Sequence, residues 1–205
     1  MQNSSLLPSR PKLILAAGLI LLSVLIAALA LTTLKPAQMS SGTALIGGPF
    51  TMVNDKSEMV TEKTYAGKYM LLFFGFTNCG DVCPAELQVV SAAFTEMGAL
   101  SDSITPIFVS VDPERDTSKI MGDYVKNFHP RLVGLTGTPE QVAAIAKVYH
   151  IYYQKVPDPK NSADYEMDHS SILYLMGPDG KFIKHFPYTT DAKGLAEGLK
   201  KVLQP

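Results

Sequence analysis

The chain has little of several features that would mark a familiar class of protein. It has only two cysteines in 205 residues, its formal net charge is only −1, and it contains no internal repeat or low-complexity stretch. A repeat architecture is therefore excluded. The segment after residue 34 keeps 16 of the 18 basic residues and all 19 acidic ones, and its formal charge of −3 argues against nucleic acid as a partner. The length suffices for one domain with a sizeable core plus an extension.

Both cysteines lie in one stretch, FFGFTNCGDVCP at 73–84. An apolar run at 70–74 leads into it and predicts a buried strand, while a helical pattern at 84–97 leads out of it. Cys79 and Cys83 therefore lie at or just before a helix N-terminus, where unpaired N–H groups favour thiolate over thiol. Four positions apart, they can face the same way and either form a disulfide or bind one soft metal ion. Two unrelated buried cysteines are the less favoured interpretation, because both lie at a turn among small and polar residues.

The N-terminal part predicts a membrane anchor. Residues 13–34 form a long uncharged apolar run, which at roughly 1.5 Å per residue crosses the ~30 Å hydrocarbon core of a bilayer. The preceding arm, residues 1–12, holds two basic residues and no acid, so we predict that it stays in the cytoplasm and that the rest is exported. The alternative is a signal peptide cleaved near residues 28–30. A tether at 35–44 leads to one exported domain at 45–205, whose cysteines can be oxidised.

The exported domain predicts a thioredoxin-like α/β fold that opens with a β-hairpin. The predicted elements are a hairpin at 50–53 and 58–61, a strand at 70–74, a helix at 84–97, a strand at 106–111, a helix with Ile120, Tyr124, Val125 and Phe128 on its inner face, a strand at 132–135, a helix from Pro139, strands at 172–176 and 182–186, and a last helix. Residues 153–168 are predicted to form a long polar loop.

One histidine, His169, is expected close to the thiols. It lies just before strand 172–176, which in this fold runs antiparallel to strand 70–74 and so begins at the edge where the cysteine turn lies. We therefore predict that Cys79, Cys83 and His169 form one metal site. Two thiolates and one imidazole suit copper as Cu(I) or Cu(II), although zinc also accepts such ligands, usually with a fourth. The histidines interpreted as surface or structural residues are His129, His150 and His185.

Three neighbours of these residues have two interpretations each. Met167 could lend a thioether to a metal or simply pack. Asp168 could orient the imidazole or be an ordinary loop acid. Asp81 could tune the thiols or cap the following helix.

Four motifs resemble the Sco/SenC family of membrane-anchored, thioredoxin-like copper proteins. They are GFTNCGDVCP at 75–84, VSVDPERDT at 109–117, GLTG at 134–137 and DHS at 168–170, and the resemblance covers roughly residues 45–203. It implies that the copper ligands are Cys79, Cys83 and His169. The chain departs from the family at Gly80, where Pro is common, and this loosens the loop between the thiols and could alter their redox potential.

The resemblance also implies a function, the maturation of the CuA centre of cytochrome c oxidase subunit II. Members carry copper, reduce the recipient's cysteines as a redox dithiol, or do both. The expected partners are subunit II or its assembly factors, thioredoxin-like reductants, and the membrane through residues 13–34. A bacterial inner membrane, with the C-terminal domain in the periplasm, is favoured over a mitochondrial one because the short arm lacks an Arg- and Ser-rich transit peptide.

Two other functions compete with copper delivery. One is a metal-independent thiol–disulfide oxidoreductase that acts on exported protein thiols or in redox signalling. The other is a thiol peroxidase, which ranks last because the sequence shows no hydroxyl and arginine partners for an activated cysteine. The copper and oxidoreductase hypotheses share both cysteines, and only the copper hypothesis needs His169.

Overall fold

The computed structural model describes residues 45–157 and 165–204. The predicted anchor at 13–34, together with its arm and tether, lies outside these residues. None of the helices within them combines the length and the apolar character that crossing a membrane requires.

Strands and helices alternate through the middle of the described part. It begins with two consecutive strands, and it ends with four consecutive strands followed by a helix. The strands are β1 Thr51–Asn54, β2 Met59–Thr61, β3 Tyr69–Gly75, β4 Ile104–Ser110, β5 Val133–Thr136, β6 Tyr153–Pro157, β7 Tyr165–His169, β8 Ile172–Met176 and β9 Phe182–Pro187. The α-helices are α1 Val82–Met97, α2 Ser118–Val125, α3 Pro139–Val148 and α4 Ala192–Leu203, and 3₁₀ turns lie at Glu62–Tyr65 and Gly98–Ser103.

The main sheet has the order β2-β1-β5-β4-β3-β8-β9. Strands β3, β4 and β5 are parallel, and β8 pairs antiparallel with β3 through partners such as Leu71 and Leu175. The fold is therefore a thioredoxin-like mixed α/β fold with the hairpin β1–β2 at its N-terminal end. The central strand β3 is buried along almost its whole length, which explains its continuous apolar run.

The helices cover this sheet largely as their patterns predict. In α1 the apolar stripe is buried at Leu87, Val90, Phe94 and Met97. The predicted inner face of α2 is wrong at one position, because Ile120 is 43% exposed while Met121 is fully buried. The Thr117 hydroxyl accepts a hydrogen bond from the Ile120 N–H, so the helix starts at Ser118 and its first turn presents Ile120 outwards.

The predicted loop at 153–168 is the clearest error at the level of elements. It contains β6 and β7, which pair antiparallel with each other, with Tyr153 opposite His169. These two strands form a sheet of their own, apart from the main one. Most of their side chains are exposed or half-buried. Strand β6 shows no alternation of apolar residues, and in β7 only Tyr165 and Met167 alternate with charged residues, which is too short a pattern to indicate a strand.

Candidate metal centre

The two thiols lie on the turn between β3 and α1. Helix α1 begins at Val82, so Cys83 lies in the first helical turn. Cys83 is fully buried, Cys79 is half-buried, and the two are not joined in a disulfide. The Cys83 N–H donates to the Cys79 Sγ at 3.4 Å, which satisfies one of the N–H groups left unpaired at a helix start. The buried sulfur has room because residue 75 is glycine, where a Cβ would lie only 2.7 Å from the Cys83 Sγ.

The two thiols differ strongly in acidity. The hydrogen bond from the Cys83 thiol lowers the pKa of Cys79 to about 3, helped by the His169 side chain and by backbone N–H groups, although burial acts in the opposite direction. Donating that hydrogen bond raises the pKa of Cys83, and burial raises it further. The two thiols titrate as a pair, and at neutral pH the metal-free pair therefore carries its negative charge mainly on Cys79.

His169 ends β7 and reaches the buried thiol. Its Nε2 lies 3.6 Å from the Cys83 Sγ, and its Nδ1 lies 3.2 Å from the Ser170 carbonyl oxygen. A metal ligand needs a free lone pair on Nε2. The imidazole has one, on the side of the sulfur, in the tautomer whose Nδ1–H donates a hydrogen bond to this carbonyl oxygen. Phe73 and Phe76 meet the imidazole edge-on, with ring centroids 6.4 and 5.8 Å away.

The three residues predicted as ligands thus lie together, but their donor atoms do not converge on one position that a metal ion could occupy. Cys83 contacts both Cys79 and His169. Within residues 45–157 and 165–204, however, no three Cys, His, Asp or Glu side chains are gathered tightly enough to hold a metal ion as they stand. The assignment of these residues as copper ligands therefore stays a prediction.

Met167, Asp168 and Asp81, the three neighbours with two interpretations, differ in burial and in contacts. Met167 is buried in the hydrophobic core, in agreement with a packing role. Asp168 is exposed, and the atom that contacts the imidazole Nδ1 is the Ser170 carbonyl oxygen. Asp81 occupies the N-cap position of α1, but its side chain makes no capping hydrogen bond.

The other histidines belong to other parts of the fold. His129 packs against Phe94 with ring centroids 5.4 Å apart, and His185 on β9 stacks on Phe182. His150 follows α3 in a left-handed backbone conformation with φ 55°.

A buried carboxylate beside the thiol turn was not singled out from the sequence. Asp116 is fully buried and accepts hydrogen bonds at 2.6 Å from the hydroxyls of Thr77 and Ser110, and at 3.1 Å from the Thr77 N–H. Burial raises the pKa of Asp116, although these hydrogen bonds oppose the shift. Asp116 thereby fixes Thr77, two residues before Cys79, to the end of β4. The motif at 109–117 contained the signal, but a sequence pattern alone does not give a residue's partners.

A second group missed from the sequence lies in the same turn after β4. Asp112 is fully buried and forms an ion pair with Arg115, while the Tyr165 hydroxyl donates to the other Asp112 oxygen at 2.8 Å. Tyr165 is the first residue of β7 and His169 is the last, so this group ties the strand that carries the imidazole to the turn after β4.

Comparison with protein families gives a match over most of the chain. The family model described as SCO1/SenC matches residues 38–204. The chain is 43% identical over 166 residues to "Protein SCO1 homolog 1, mitochondrial" of Arabidopsis thaliana, covering 80% of this chain and 49% of that protein. It is 41% identical over 174 residues to "Protein SCO1 homolog, mitochondrial" of Homo sapiens, covering 83% and 57%. The chain therefore spans about half the length of these curated relatives.

Solved structures of Sco proteins are also similar to this chain. ScoI of Arabidopsis thaliana, described with copper bound, is 43% identical with a TM-score of 0.73, and the match covers 78% of this chain and 99% of that one. ScoI of Bradyrhizobium japonicum, also described with copper bound, is 42% identical with a TM-score of 0.70, and the match covers 76% and 98%.

Proposed function

This chain belongs to the SCO1/SenC family, and we propose that it is a copper metallochaperone with a redox dithiol that assembles the CuA centre of cytochrome c oxidase subunit II. Copper is then its cargo, held by Cys79, Cys83 and His169. Two structural relatives described as copper-bound support this choice of metal. The proposed partners are subunit II or its assembly factors, and thioredoxin-like reductants that keep the dithiol reduced.

The observation that carries the proposal is the separation of 3.6 Å between the Cys83 Sγ and the His169 Nε2. Two ligands on one ion, with bonds of about 2.3 Å to sulfur and about 2.1 Å to nitrogen at a tetrahedral angle, lie about 3.5 Å apart. These two atoms therefore already have the spacing of ligands that share an ion. The Cys79 Sγ, which already contacts the Cys83 N–H, would complete the set by a movement of its side chain.

The donor atoms also suit copper chemically. Cys79 is a thiolate at neutral pH, as a soft-metal ligand must be, whereas Cys83 has to lose its proton when copper binds. Loading with copper therefore releases a proton from the site. The thiolates favour Cu(I) and the imidazole allows Cu(II), so one site accepts both oxidation states.

The proposed location is a bacterial inner membrane, with residues 13–34 as a single anchor and the domain at 45–205 in the periplasm. The long apolar run and the two basic residues before it support this orientation. Full-length protein should stay in the membrane fraction after alkaline carbonate extraction, and a reporter fused after Pro205 should be active outside the cytoplasm. Release of a shortened soluble protein would favour cleavage near residues 28–30 instead.

The experiment that tests the copper function compares wild type with His169→Ala. The reduced full-length proteins are loaded with Cu(I) or Cu(II), and bound copper is measured together with maturation of oxidase in cells. We expect His169→Ala to keep Cu(I) on its two thiolates with lower affinity, to lose most Cu(II) binding, and to fail in oxidase maturation. The matched control is His185→Ala, since His185 is exposed on β9.

Two outcomes would contradict this proposal. Copper binding by the oxidised protein as tight as by the reduced protein would show that the thiolates are not ligands. Normal oxidase maturation by a variant that binds no copper would favour the thiol–disulfide oxidoreductase instead.

A further inference from the structure

The hairpin β6–β7 that carries His169 lies outside the main sheet. Its strands pair with each other in a sheet of their own, and most of their side chains are exposed or half-buried. An isolated two-stranded hairpin is at best marginally stable in water. The position of His169 therefore depends on the side chains that hold this hairpin to the rest of the domain.

Met167 packs into the core from the middle of β7, and the polar attachments lie at the start of β7, at the opposite end of the strand from His169. Arg115 pairs through its Nε with the fully buried carboxylate of Asp112 and donates from its Nη1 to the Tyr165 carbonyl oxygen at 2.8 Å. The Tyr165 hydroxyl donates in turn to Asp112 at 2.8 Å. The three residues thus form a closed ring of three hydrogen bonds, and each of them is charge-assisted, which is the stronger kind.

Ring stacking continues from this group towards the imidazole. The Arg115 guanidinium lies 3.8 Å from the Tyr165 ring centroid and 5.8 Å from that of Phe76. Phe76, on the loop before Cys79, meets the His169 ring edge-on with centroids 5.8 Å apart. The same guanidinium therefore contacts both the strand that carries the imidazole and the loop that carries the thiols.

We propose that Asp112, Arg115 and Tyr165 form a latch that sets the position of His169 relative to the dithiol. They are positioning residues for copper binding, and this role rests on the proposed function because it takes His169 as a ligand. With the latch broken, the two thiols keep their places on the turn after β3 and in the first turn of α1, while the hairpin moves more freely. Cu(II), which needs the nitrogen ligand, then loses more affinity than Cu(I), which two thiolates can hold.

The least disruptive variant is Tyr165→Phe, which removes only the hydroxyl that donates to Asp112 and keeps the stacked ring. Hydrogen–deuterium exchange is measured on metal-free full-length protein in detergent. Loss of one hydrogen bond to a charged group should speed amide exchange in β6 and β7 about tenfold, while exchange in β3 and α1 stays unchanged. The matched control is Tyr188→Phe, which removes the hydroxyl of an exposed tyrosine. Unchanged exchange in the hairpin of Tyr165→Phe would overturn the latch.

A second measurement tests whether the latch acts through His169. Tyr165→Phe is combined with His169→Ala, and Cu(II) affinity is measured for both single variants and the double variant. We expect Tyr165→Phe to weaken Cu(II) binding about tenfold in the wild-type background, and to have no further effect once His169 is absent. An equal loss in both backgrounds would overturn the positioning role.

A second variant tests whether the effect of Tyr165→Phe comes from the latch as a whole or only from the loss of one hydroxyl. Arg115→Lys keeps a positive charge beside Asp112 but loses the planar fork that reaches Asp112 and Tyr165 together. It should loosen the hairpin at least as much as Tyr165→Phe, and unchanged exchange in Arg115→Lys would also contradict the latch. If His169→Ala alone leaves copper binding unchanged, the ligand assignment of the proposed function fails, while the exchange result still decides whether the latch exists.

Discussion

The dithiol turn and the hairpin β6–β7 bring the two halves of the candidate site together by different means. The thiols follow a buried central strand and begin a helix whose inner face is part of the core. The imidazole ends a mostly polar hairpin that is held to the domain by Met167 in the core and by the side chains at its far end. The thiols are therefore as rigid as the core, whereas the position of the imidazole depends on the latch as well as on the packing of Met167. Under the proposed function, such an arrangement would let the imidazole leave the copper without disturbing the thiols.

The largest expected effect comes from disturbing the rigid half at Gly75. A Cβ at this position would lie 2.7 Å from both the Cys83 Sγ and the Phe108 Cε2, so Gly75→Ala overpacks the core below the thiol. We expect a loss of about 1–3 kcal/mol in the free energy of unfolding, together with displacement of Cys83. Urea denaturation measures the first effect, and Cu(I) affinity measures the second.

Gly80→Ala is the matched control for this change. A Cβ at Gly80 meets no atom within 4 Å, and Gly80 lies between the two cysteines in sequence. The free energy of unfolding of this variant should lie within about 0.5 kcal/mol of the wild-type value. Equal destabilisation by both variants would mean that the turn as a whole, rather than the space beneath Cys83, limits stability.

The same contrast explains which parts of the molecule could be predicted from the sequence. Strands β3, β4 and β8 and helix α1 have strong apolar patterns because the core dictates their sequences, and topology alone indicated that His169 would come close to the cysteines. The sequence predicts a loop where the hairpin β6–β7 forms, because the few apolar residues of the hairpin make too short an alternation to indicate a strand.

The support of the site was harder to predict than its donors. Cysteine and histidine have a chemistry that marks them in a sequence, whereas Asp116 and Arg115 act through partners 39 and 50 positions away in the chain. Asp112 makes the same point, since its contact with Tyr165 spans 53 positions. Only the folded chain reveals such pairings.

A pH-dependent effect is expected at Glu86, on the rigid half. This side chain is almost fully buried, its Oε1 has no hydrogen-bond partner among the described residues, and burial raises its pKa from 4.5 to about 7. A raised pKa means that the folded state binds the proton more tightly than the unfolded state, so stability is lost as pH rises from about 4.5 to about 7. Between pH 5 and pH 8 we expect a loss of about 2 kcal/mol from this group.

Glu86→Gln isolates that contribution, because the amide carries no charge at any of these pH values. Denaturant unfolding of the variant should lack this part of the pH dependence, and the variant should be more stable than wild type at pH 8. Glu197→Gln, at an exposed position on α4, should behave like wild type. A Glu86→Gln protein with the full pH dependence of wild type would show that another group is responsible.

A smaller effect separates the two thiols of the rigid half. At pH 5 the Cys79 thiol, with its pKa of about 3, is ionised and half-buried, whereas Cys83 is protonated and fully buried. Ionisation raises reactivity at this pH, but a thiolate of low pKa is a weaker nucleophile. The net expectation is that iodoacetamide modifies Cys79 about tenfold faster than an ordinary thiol. Mass spectrometry of peptides from metal-free, reduced protein identifies the modified residue, and modification of Cys83 first would contradict the assigned protonation states.

The smallest effect is expected on the hairpin side, at Lys155 on β6. Its Nζ pairs with Glu114 at 2.6 Å and lies 4.4 Å from the Tyr165 ring centroid, but the two paired side chains are 44% and 59% exposed. Exposed ion pairs contribute about 0–1 kcal/mol and are screened by salt. Lys155→Ala should therefore speed amide exchange in β6 and β7 only about twofold, and high salt should abolish the difference from wild type. Lys193→Ala, on α4, controls for the loss of a surface charge. If Lys155→Ala loosened the hairpin as much as Tyr165→Phe, the surface ion pair, and not the buried carboxylate of Asp112, would hold the imidazole half of the site in place.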